Sequence, residues 1–273
     1  MPEMPEVETL ARKLRGTVIG KRVADVCLSG LPLRKPIVDT FASQLRGRTI
    51  RKILRRGKYL IAELDPKGYW LIHLGMSGRI LYHAQHSAVT KHTHAVIRFV
   101  DSTELEYRDQ RRFGLLTAYG EGRLSSIPEI RHLGMDPLHS GFDNEYLGPL
   151  LEKSRQEIKS FLLDQRRIAG LGNIYVCEAL FRARIHPARR CFTLEPREIS
   201  QLVGAIRKVL RAAIRHHGTS FSDFMDSDGM TGENQKYLKV FQREGKACCR
   251  CRTPVRRMRQ GNRSSFYCSY CQN

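Results

Sequence analysis

Eight cysteines stand in the chain, and four of them form two pairs, Cys248-x-x-Cys251 and Cys268-x-x-Cys271, with 16 residues between the pairs. A Cys-x-x-Cys turn can aim two sulfurs at one ion. Two such turns complete a tetrahedral four-sulfur site of the kind that holds Zn2+. In a reducing compartment such pairs read as metal ligands rather than disulfides. The short stretch that carries them cannot bury much core, so metal binding is expected to supply its folding energy. Arg252, Arg256, Arg257, Arg259 and Arg263 lie between the pairs. The stretch therefore reads as a metal-stapled β-hairpin that presents arginines to phosphates. Cys27, Cys177, Cys191 and Cys249 fall outside this pattern.

A second candidate chemistry lies at the start, Met1-Pro2-Glu3-Met4-Pro5-Glu6-Val7-Glu8-Thr9. Methionine before a small residue such as proline is normally trimmed, which leaves Pro2 with a free secondary amine. An α-amine titrates near ~8, against ~10.4 for lysine, so more of it is neutral at neutral pH. A neutral amine can attack an electrophilic carbon and form an iminium. Glu3, beside it, can accept or deliver protons. Composition alone favours a plainer reading, a stiff helix start with acidic residues at its positive end.

These residues need elements to hold them. Val7, Leu10, Ala11 and Leu14 recur at helical spacing after Pro5. Short apolar runs follow at 59–64, 70–73, 95–100 and 104–107, bounded by turn residues such as Pro66-Lys67-Gly68 and Asp101-Ser102. They predict an antiparallel sandwich or barrel. Pro128, Gly134, Pro137 and Gly141 then punctuate a linker. Beyond it the pattern turns helical. Ile158, Phe161 and Leu162 share a face, 174–181 forms a helix, and Ile199 to Ala213 forms a long amphipathic one ended by Gly218. The polar, glycine-containing stretch 222–235 is expected to be a mobile loop. No internal repeat or low-complexity tract is visible.

Lys plus Arg number 47 against 27 Asp plus Glu, a formal charge of +20. Such an excess repels itself, and a polyanionic partner is the natural explanation. Nucleic acid is favoured over an anionic membrane, because no apolar run approaches the ~20 residues of a membrane span. Nothing at the start reads as a secretion signal, so a soluble, intracellular protein is expected. Hydrophobic residues make up 41% of the chain, enough for a real core.

Several strings together resemble the formamidopyrimidine-DNA glycosylase family (Fpg/MutM, bacterial type). They are Pro2-Glu3-Met4-Pro5-Glu6-Val7-Glu8-Thr9, Leu74-Gly75-Met76-Ser77-Gly78, Lys91-His92-Thr93-His94, Asp109-Gln110-Arg111-Arg112-Phe113-Gly114 and Gly170-Leu171-Gly172-Asn173-Ile174-Tyr175. Arg263-Ser264-Ser265-Phe266-Tyr267-Cys268, with the cysteine pairs, completes the set. The likeness runs in order along the whole chain.

The resemblance implies a bifunctional DNA glycosylase/AP lyase of base excision repair. It would remove 8-oxoguanine and formamidopyrimidines from duplex DNA, flipping the damaged base out of the stack. Pro2 would attack C1′ of the sugar, Glu3 would serve as acid and base, and β- and δ-elimination would follow. Lys58 matches the lysine assigned to proton transfer and phosphate contact. Arg263 matches the arginine linked to the later elimination. Met76, Arg111 and Phe113 resemble the residues that fill the void left by flipping; apolar wedges can replace stacking, and a guanidinium can bind the orphaned cytosine. His92, Arg155, Lys159 and Asn173 match phosphate contacts, with Asn173 read as a helix N-cap. Glu6, Ser222, Gly229, Thr231 and Gly232 match the lesion pocket. One structural Zn2+ is implied on Cys248, Cys251, Cys268 and Cys271.

The implied fold is α+β and multi-domain. An N-terminal antiparallel β-sandwich with an N-terminal helix (1–128) is followed by a linker (129–140). A helix–two-turn–helix domain carrying the lesion loop (141–235) and a zinc ribbon hairpin (236–273) come next. A monomer acting in the cytoplasm on damaged double-stranded DNA is expected. The chain departs from the family pattern in Met4, in Cys177 and in a lesion loop poor in aromatics. It also carries Gln110 where proline is usual, which implies a looser turn before Arg111. Three rivals remain at this point: an endonuclease VIII-like glycosylase for oxidised pyrimidines, a non-catalytic damaged-DNA-binding protein, and a zinc-ribbon RNA-binding factor.

Overall fold

The computed structural model describes residues 2–86, 88–221 and 224–273. The chain divides into two compact units, Met1–Arg131 with His216–Gln235, and His132–Arg215 with Lys236–Asn273.

In the first unit, helix α1 (Met4–Thr17) buries Val7, Leu10, Ala11 and Leu14 along one face. The apolar spacing puts those side chains on one stripe, and Pro5 suits the first turn, where its missing N–H costs nothing. Strand β1 (Val23–Leu28) and the short helix α2 (Thr40–Leu45) follow. Seven more strands come next: β2 (Thr49–Arg56), β3 (Tyr59–Asp65), β4 (Gly68–His73), β5 (Gly78–His83), β6 (Thr93–Phe99), β7 (Glu104–Asp109) and β8 (Leu115–Tyr119). They form two four-stranded antiparallel sheets, ordered β1-β6-β7-β5 and β2-β3-β4-β8. One core joins both sheets to α1, with Leu10, Leu14, Ile50, Leu60, Ile72, Ile97 and Phe99 among its members. Trp70, the single tryptophan, meets Phe41 edge-on within it. Short helix α3 (Pro128–Arg131) closes this part of the chain. The fold is thus the expected sandwich.

The second unit holds α4 (Asn144–Glu152), α5 (Ile158–Leu163), α6 (Asn173–Ala183) and α7 (Pro196–Arg215). It also holds the hairpin β9 (Arg256–Gln260) and β10 (Arg263–Tyr267). Cys177 and Phe181 of α6 share a small core with Val240, Val255 and Phe266. The ribbon therefore packs on the helices instead of standing apart. Glu178 of α6 strengthens the join, because its buried carboxylate accepts the N–H groups of Lys239, Val240 and Phe241 at 2.9–3.0 Å. Among the described residues no helix is long and apolar enough to cross a membrane.

Two boundaries differ from those read in the sequence. The stretch 129–140 is not a free linker: Met135 bridges Ile168, and Gly134 lies so close to Arg167 that a Cβ would meet the Arg167 carbon at 2.2 Å. The segment 216–235 belongs with the sandwich rather than with the helices that precede it. Sequence neighbours do not decide this. Hydrogen bonds do, as Tyr82 N–H donates to the Ser227 carbonyl at 2.9 Å and Lys13 pairs with Asp228 at 2.5 Å.

Candidate active site and nucleic-acid interface

The start of α1 is buried. Pro2, Glu3 and Glu6 all lie out of solvent at the start of α1, where Glu3 is the N-cap and forms a capping box with Glu6. Glu6 does more than cap. Its Oε2 accepts the Glu3 N–H at 2.7 Å, and its Oε1 accepts the Thr219 N–H at 2.7 Å. The chain reaches Glu6 through Gly218, which takes φ +82° and passes so close that a Cβ would meet Glu6 Oε1 at 2.9 Å. Gly232 lies on the other side of Gly218, where a Cβ would meet the Gly218 oxygen at 2.2 Å. Both legs of the 216–235 segment are thus drawn to the residues beside Pro2. Gly232 N–H donates to Ser220 Oγ at 2.8 Å, while Thr231 is exposed and Gly229 is half-buried with φ +79°. The expected mobile loop is tied down on these residues; Ser222 lies outside the described residues.

Lys58 sits in the two-residue turn between β2 and β3, half-exposed. A polar chain leads to it from α1. Glu8 accepts from Arg55 Nε at 3.0 Å, and Arg55 Nη1 donates to the Gly57 carbonyl at 3.1 Å. Despite its burial, the Glu8 carboxyl is held below its ordinary range by Arg12, Arg55 and Arg15. His73, at the end of β4, packs its ring on Tyr59 with centroids 4.9 Å apart. Burial first, then the charges of Lys58 and Arg34, push His73 down to about 4. It is neutral at pH 7, and its Nδ1 accepts the Gly75 N–H at 3.0 Å.

Gly75 opens the β4–β5 turn that carries Met76. It takes φ +60°, and a Cβ there would meet the Phe113 carbonyl carbon at 2.4 Å. The turn of Met76 therefore lies directly against the turn of Arg111 and Phe113. The Arg111 guanidinium stacks over the Phe113 ring, 4.9 Å from its centroid. Arg111 and Phe113 are exposed and Met76 is half-buried, so all three side chains offer surface. The turn before Arg111 is not loosened by Gln110. The Arg111 N–H is held by Ser77 Oγ at 3.0 Å and by Asp109 Oδ1 at 3.3 Å. Half-buried His92 lies alongside, its carbonyl accepting the Asp109 N–H at 2.9 Å.

In the second unit, Gly172 is the N-cap of α6 and Asn173 its first residue, which corrects the expected N-cap. Extended backbone at Gly172 lets the helix begin there, and the Asn173 side chain is used elsewhere. Its Nδ2 donates to the Ser264 carbonyl at 3.0 Å. Lys159 is not a surface cation. It is buried, and its Nζ donates to the same Ser264 carbonyl at 2.8 Å and to Ser265 Oγ at 2.6 Å. Burial lowers its pKa, and Arg263 adds to the shift. Lys159 thus anchors β10 from within instead of meeting phosphate. The residue before Ser264 is Arg263, which is exposed and lines one cleft with Asn173 and Arg257. Arg155 is exposed on the loop before α5.

The sulfurs of Cys248, Cys251, Cys268 and Cys271 all lie within 4.8 Å of one another. Cys248 and Cys271 sulfurs are 4.0 Å apart, and those of Cys251 and Cys268 are 3.4 Å apart. A tetrahedral Zn2+ with bonds of ~2.3 Å has sulfur–sulfur edges of about 3.8 Å, so the four thiols fit such an ion. Cys249 is exposed and outside the cluster.

Sequence reading missed Asp109, Ser77 and His73, which hold the two turns. Asp109 and Ser77 stand inside the motif strings, so the signal was present, but nothing in a linear string says that their side chains meet.

The formamidopyrimidine-DNA glycosylase N-terminal domain model matches residues 1–116, and the formamidopyrimidine-DNA glycosylase H2TH domain model matches residues 133–225. A formamidopyrimidine-DNA glycosylase of Desulforamulus reducens is 42% identical over 274 residues, covering 100% of this chain and 99% of the relative. The crystal structure of MutM (Fpg) from Thermus thermophilus superposes with TM-score 0.88 at 37% identity, covering 99% of this chain and 98% of that one. A Lactococcus lactis Fpg variant solved with Fapy-dG-containing DNA gives TM-score 0.91 at 31% identity, covering 100% of both chains. With the motifs, the sandwich, the helical unit and the cysteine cluster in agreement, the chain belongs to the formamidopyrimidine-DNA glycosylase family.

Proposed function

We propose that this protein is a bifunctional DNA glycosylase/AP lyase of base excision repair that removes oxidised purines from duplex DNA. The observation that carries the reading is the buried start of α1, where Pro2 and Glu3 are held in place by Glu6. A solved relative with the same fold holds Fapy-dG-containing DNA.

Once Met1 is removed, the Pro2 nitrogen has a lone pair. It attacks C1′ as the bond to the damaged base breaks, and the leaving base takes a proton. Glu3, the residue next to Pro2, supplies the acid and base steps. The sugar ring then opens: the nitrogen lone pair forms the iminium as the C1′–O4′ bond breaks and O4′ takes a proton from Glu3. The iminium acidifies the C2′ proton, so β-elimination expels the 3′ phosphate. Loss of a second proton then expels the 5′ phosphate by δ-elimination. Lys58 and Arg263 are the cations assigned to these later proton and phosphate steps. Met76 and Phe113 fill the vacated stack, and Arg111 faces the orphaned base. Arg155 and His92 contact phosphates, as does Asn173 through its backbone at the α6 N-terminus, and Glu6, Gly229, Thr231 and Gly232 surround the lesion. The four cysteines hold one structural Zn2+, whose chemistry is to fix the hairpin that presents Arg263. The protein works as a monomer in the cytoplasm.

Borohydride trapping on a duplex carrying 8-oxoguanine opposite cytosine tests the reading. A covalent protein–DNA adduct through residue 2 is expected, and Pro2→Gly, which replaces the secondary amine held in place with a less constrained primary one, should slow its formation. Intact mass should show the chain without Met1. An active enzyme that retains Met1, or an adduct whose DNA maps to any residue other than the N-terminal one, would overturn the assignment. A thymine glycol duplex run in parallel separates the pyrimidine-directed alternative.

A further inference from the structure

We propose that Asp109 is a positioning residue that joins the Met76 turn to the Arg111–Phe113 turn, so that void filling and reading of the opposite base act as one unit. The inference rests on the roles given above to those three side chains.

The Asp109 carboxylate is fully buried, with no part of the residue exposed. Four donors converge on it. Oδ1 accepts from Ser77 Oγ at 2.6 Å and from the Arg111 N–H at 3.3 Å. Oδ2 accepts from the Gly114 N–H at 2.7 Å and from the Tyr107 hydroxyl at 3.5 Å. The backbone of Asp109 is fixed as well, since its N–H donates to the His92 carbonyl and its carbonyl lies 3.0 Å from His94 Nε2. Arg111 N–H and Gly114 N–H bracket the segment that carries Arg111 and Phe113. Ser77 follows Met76 on the neighbouring turn. One side chain therefore grips both ends of one turn and the middle of the other.

The chemistry demands a carboxylate. A carboxylate offers acceptors on both oxygens, and here both face N–H or O–H groups. An asparagine has the same shape but one acceptor oxygen. Its amide would point a donor at another donor in a site buried from bulk solvent. Charge is not the point of the residue, because none of the four donors is a cation. Its effect must reach DNA through Arg111, Met76 and Phe113, since Asp109 has no exposed atom to offer.

The test compares the wild type with Asp109→Asn and with the milder Ser77→Ala, which removes the two bonds that Ser77 Oγ makes between the turns, to Asp109 and from the Arg111 N–H, and leaves the Asp109 bonds to Arg111 and Gly114 in place. Single-turnover excision of 8-oxoguanine is measured opposite cytosine and opposite adenine. Cleavage of a single-stranded oligonucleotide with an abasic site, which has no void and no opposite base, is measured alongside. Asp109→Asn should reduce the cytosine-over-adenine ratio about tenfold, and Ser77→Ala several-fold. Single-strand cleavage should stay within about threefold. In an Arg111→Ala background, Asp109→Asn should have no further effect on the ratio. An unchanged ratio overturns the inference, and so does loss of single-strand cleavage in Ser77→Ala protein with wild-type circular dichroism. A wild type that forms no borohydride adduct sinks the proposed function itself, and the inference with it.

Discussion

Glu6 accepts the Thr219 N–H at 2.7 Å, a bond between residues 213 positions apart in the chain. The other Glu6 oxygen accepts the N–H of Glu3. One buried carboxylate thus ties the residue beside Pro2 to the first turn of the 216–235 segment. Glu6→Gln should weaken both ends, because only one of its terminal atoms can accept. Losing a charged, buried hydrogen bond costs roughly 1.5–3 kcal/mol, or about ten- to a hundredfold in an equilibrium it controls. The rate of borohydride trapping should fall by about that factor, with the urea midpoint lowered. Trapping at the wild-type rate would show that Glu6 does not set the position of Pro2.

Arg111 and Phe113 stack on each other, yet they should fail differently. Arg111→Ala removes the hydrogen-bond donors and should lower the preference for cytosine opposite the lesion. Phe113→Ala removes the wedge and should slow excision opposite every base, leaving the ratio intact. Kinetics on duplexes that differ only in the opposite base distinguish the two outcomes.

Removal of the metal gives a prediction confined to one unit. Elemental analysis should find one zinc per chain. Chelation, or Cys268→Ala, should unfold the hairpin and break the bonds from Lys159 and Asn173 to the Ser264 carbonyl. Duplex affinity should fall steeply. Trp70 is the single tryptophan and lies in the sandwich core, so its emission should not change. Retained binding after complete loss of the metal would contradict the role given to the hairpin.

The excess of cations predicts a strong salt response. Affinity for an undamaged duplex should fall linearly on logarithmic axes, with a slope of roughly −0.9 for each phosphate neutralised. Arg155→Ala should make that slope shallower by about 1 without changing opposite-base preference. Titration at several salt concentrations measures both.

His73 makes stability depend on acid. Its pKa in the folded protein is about 4, below the ordinary 6.5. Between these values the unfolded chain binds a proton that the folded chain does not. This contribution is therefore intact above about pH 6.5 and is lost as pH falls towards 4, with a slope of at most about 1.4 kcal/mol per pH unit. Urea denaturation from pH 4 to 7 should show the slope, and His73→Asn should flatten it. A His73 ring titrating near 6.5 by NMR would refute the prediction.

Much of this was legible in the sequence because it depends on local order. The cysteine spacing, the helix of Val7 to Leu14 and the strands around Ile61 and Ile97 follow from residue types at fixed intervals. Strands Thr49–Arg56 and Gly78–His83 went unread, because Arg51, Lys52, Arg55, Arg56 and Arg79 mask their alternation. What only the tertiary structure decided was which polar groups meet. A buried cation and an exposed one look alike in a string, yet Lys159 lies inside against Ser264 while Arg263 lies outside. Likewise Asp109 gains its place from Ser77, 32 residues away, and Glu6 from Thr219. Hydrogen bonds between distant residues carry no periodic trace. Burial raises the cost of leaving them unmade, so the packed fold selects the partners.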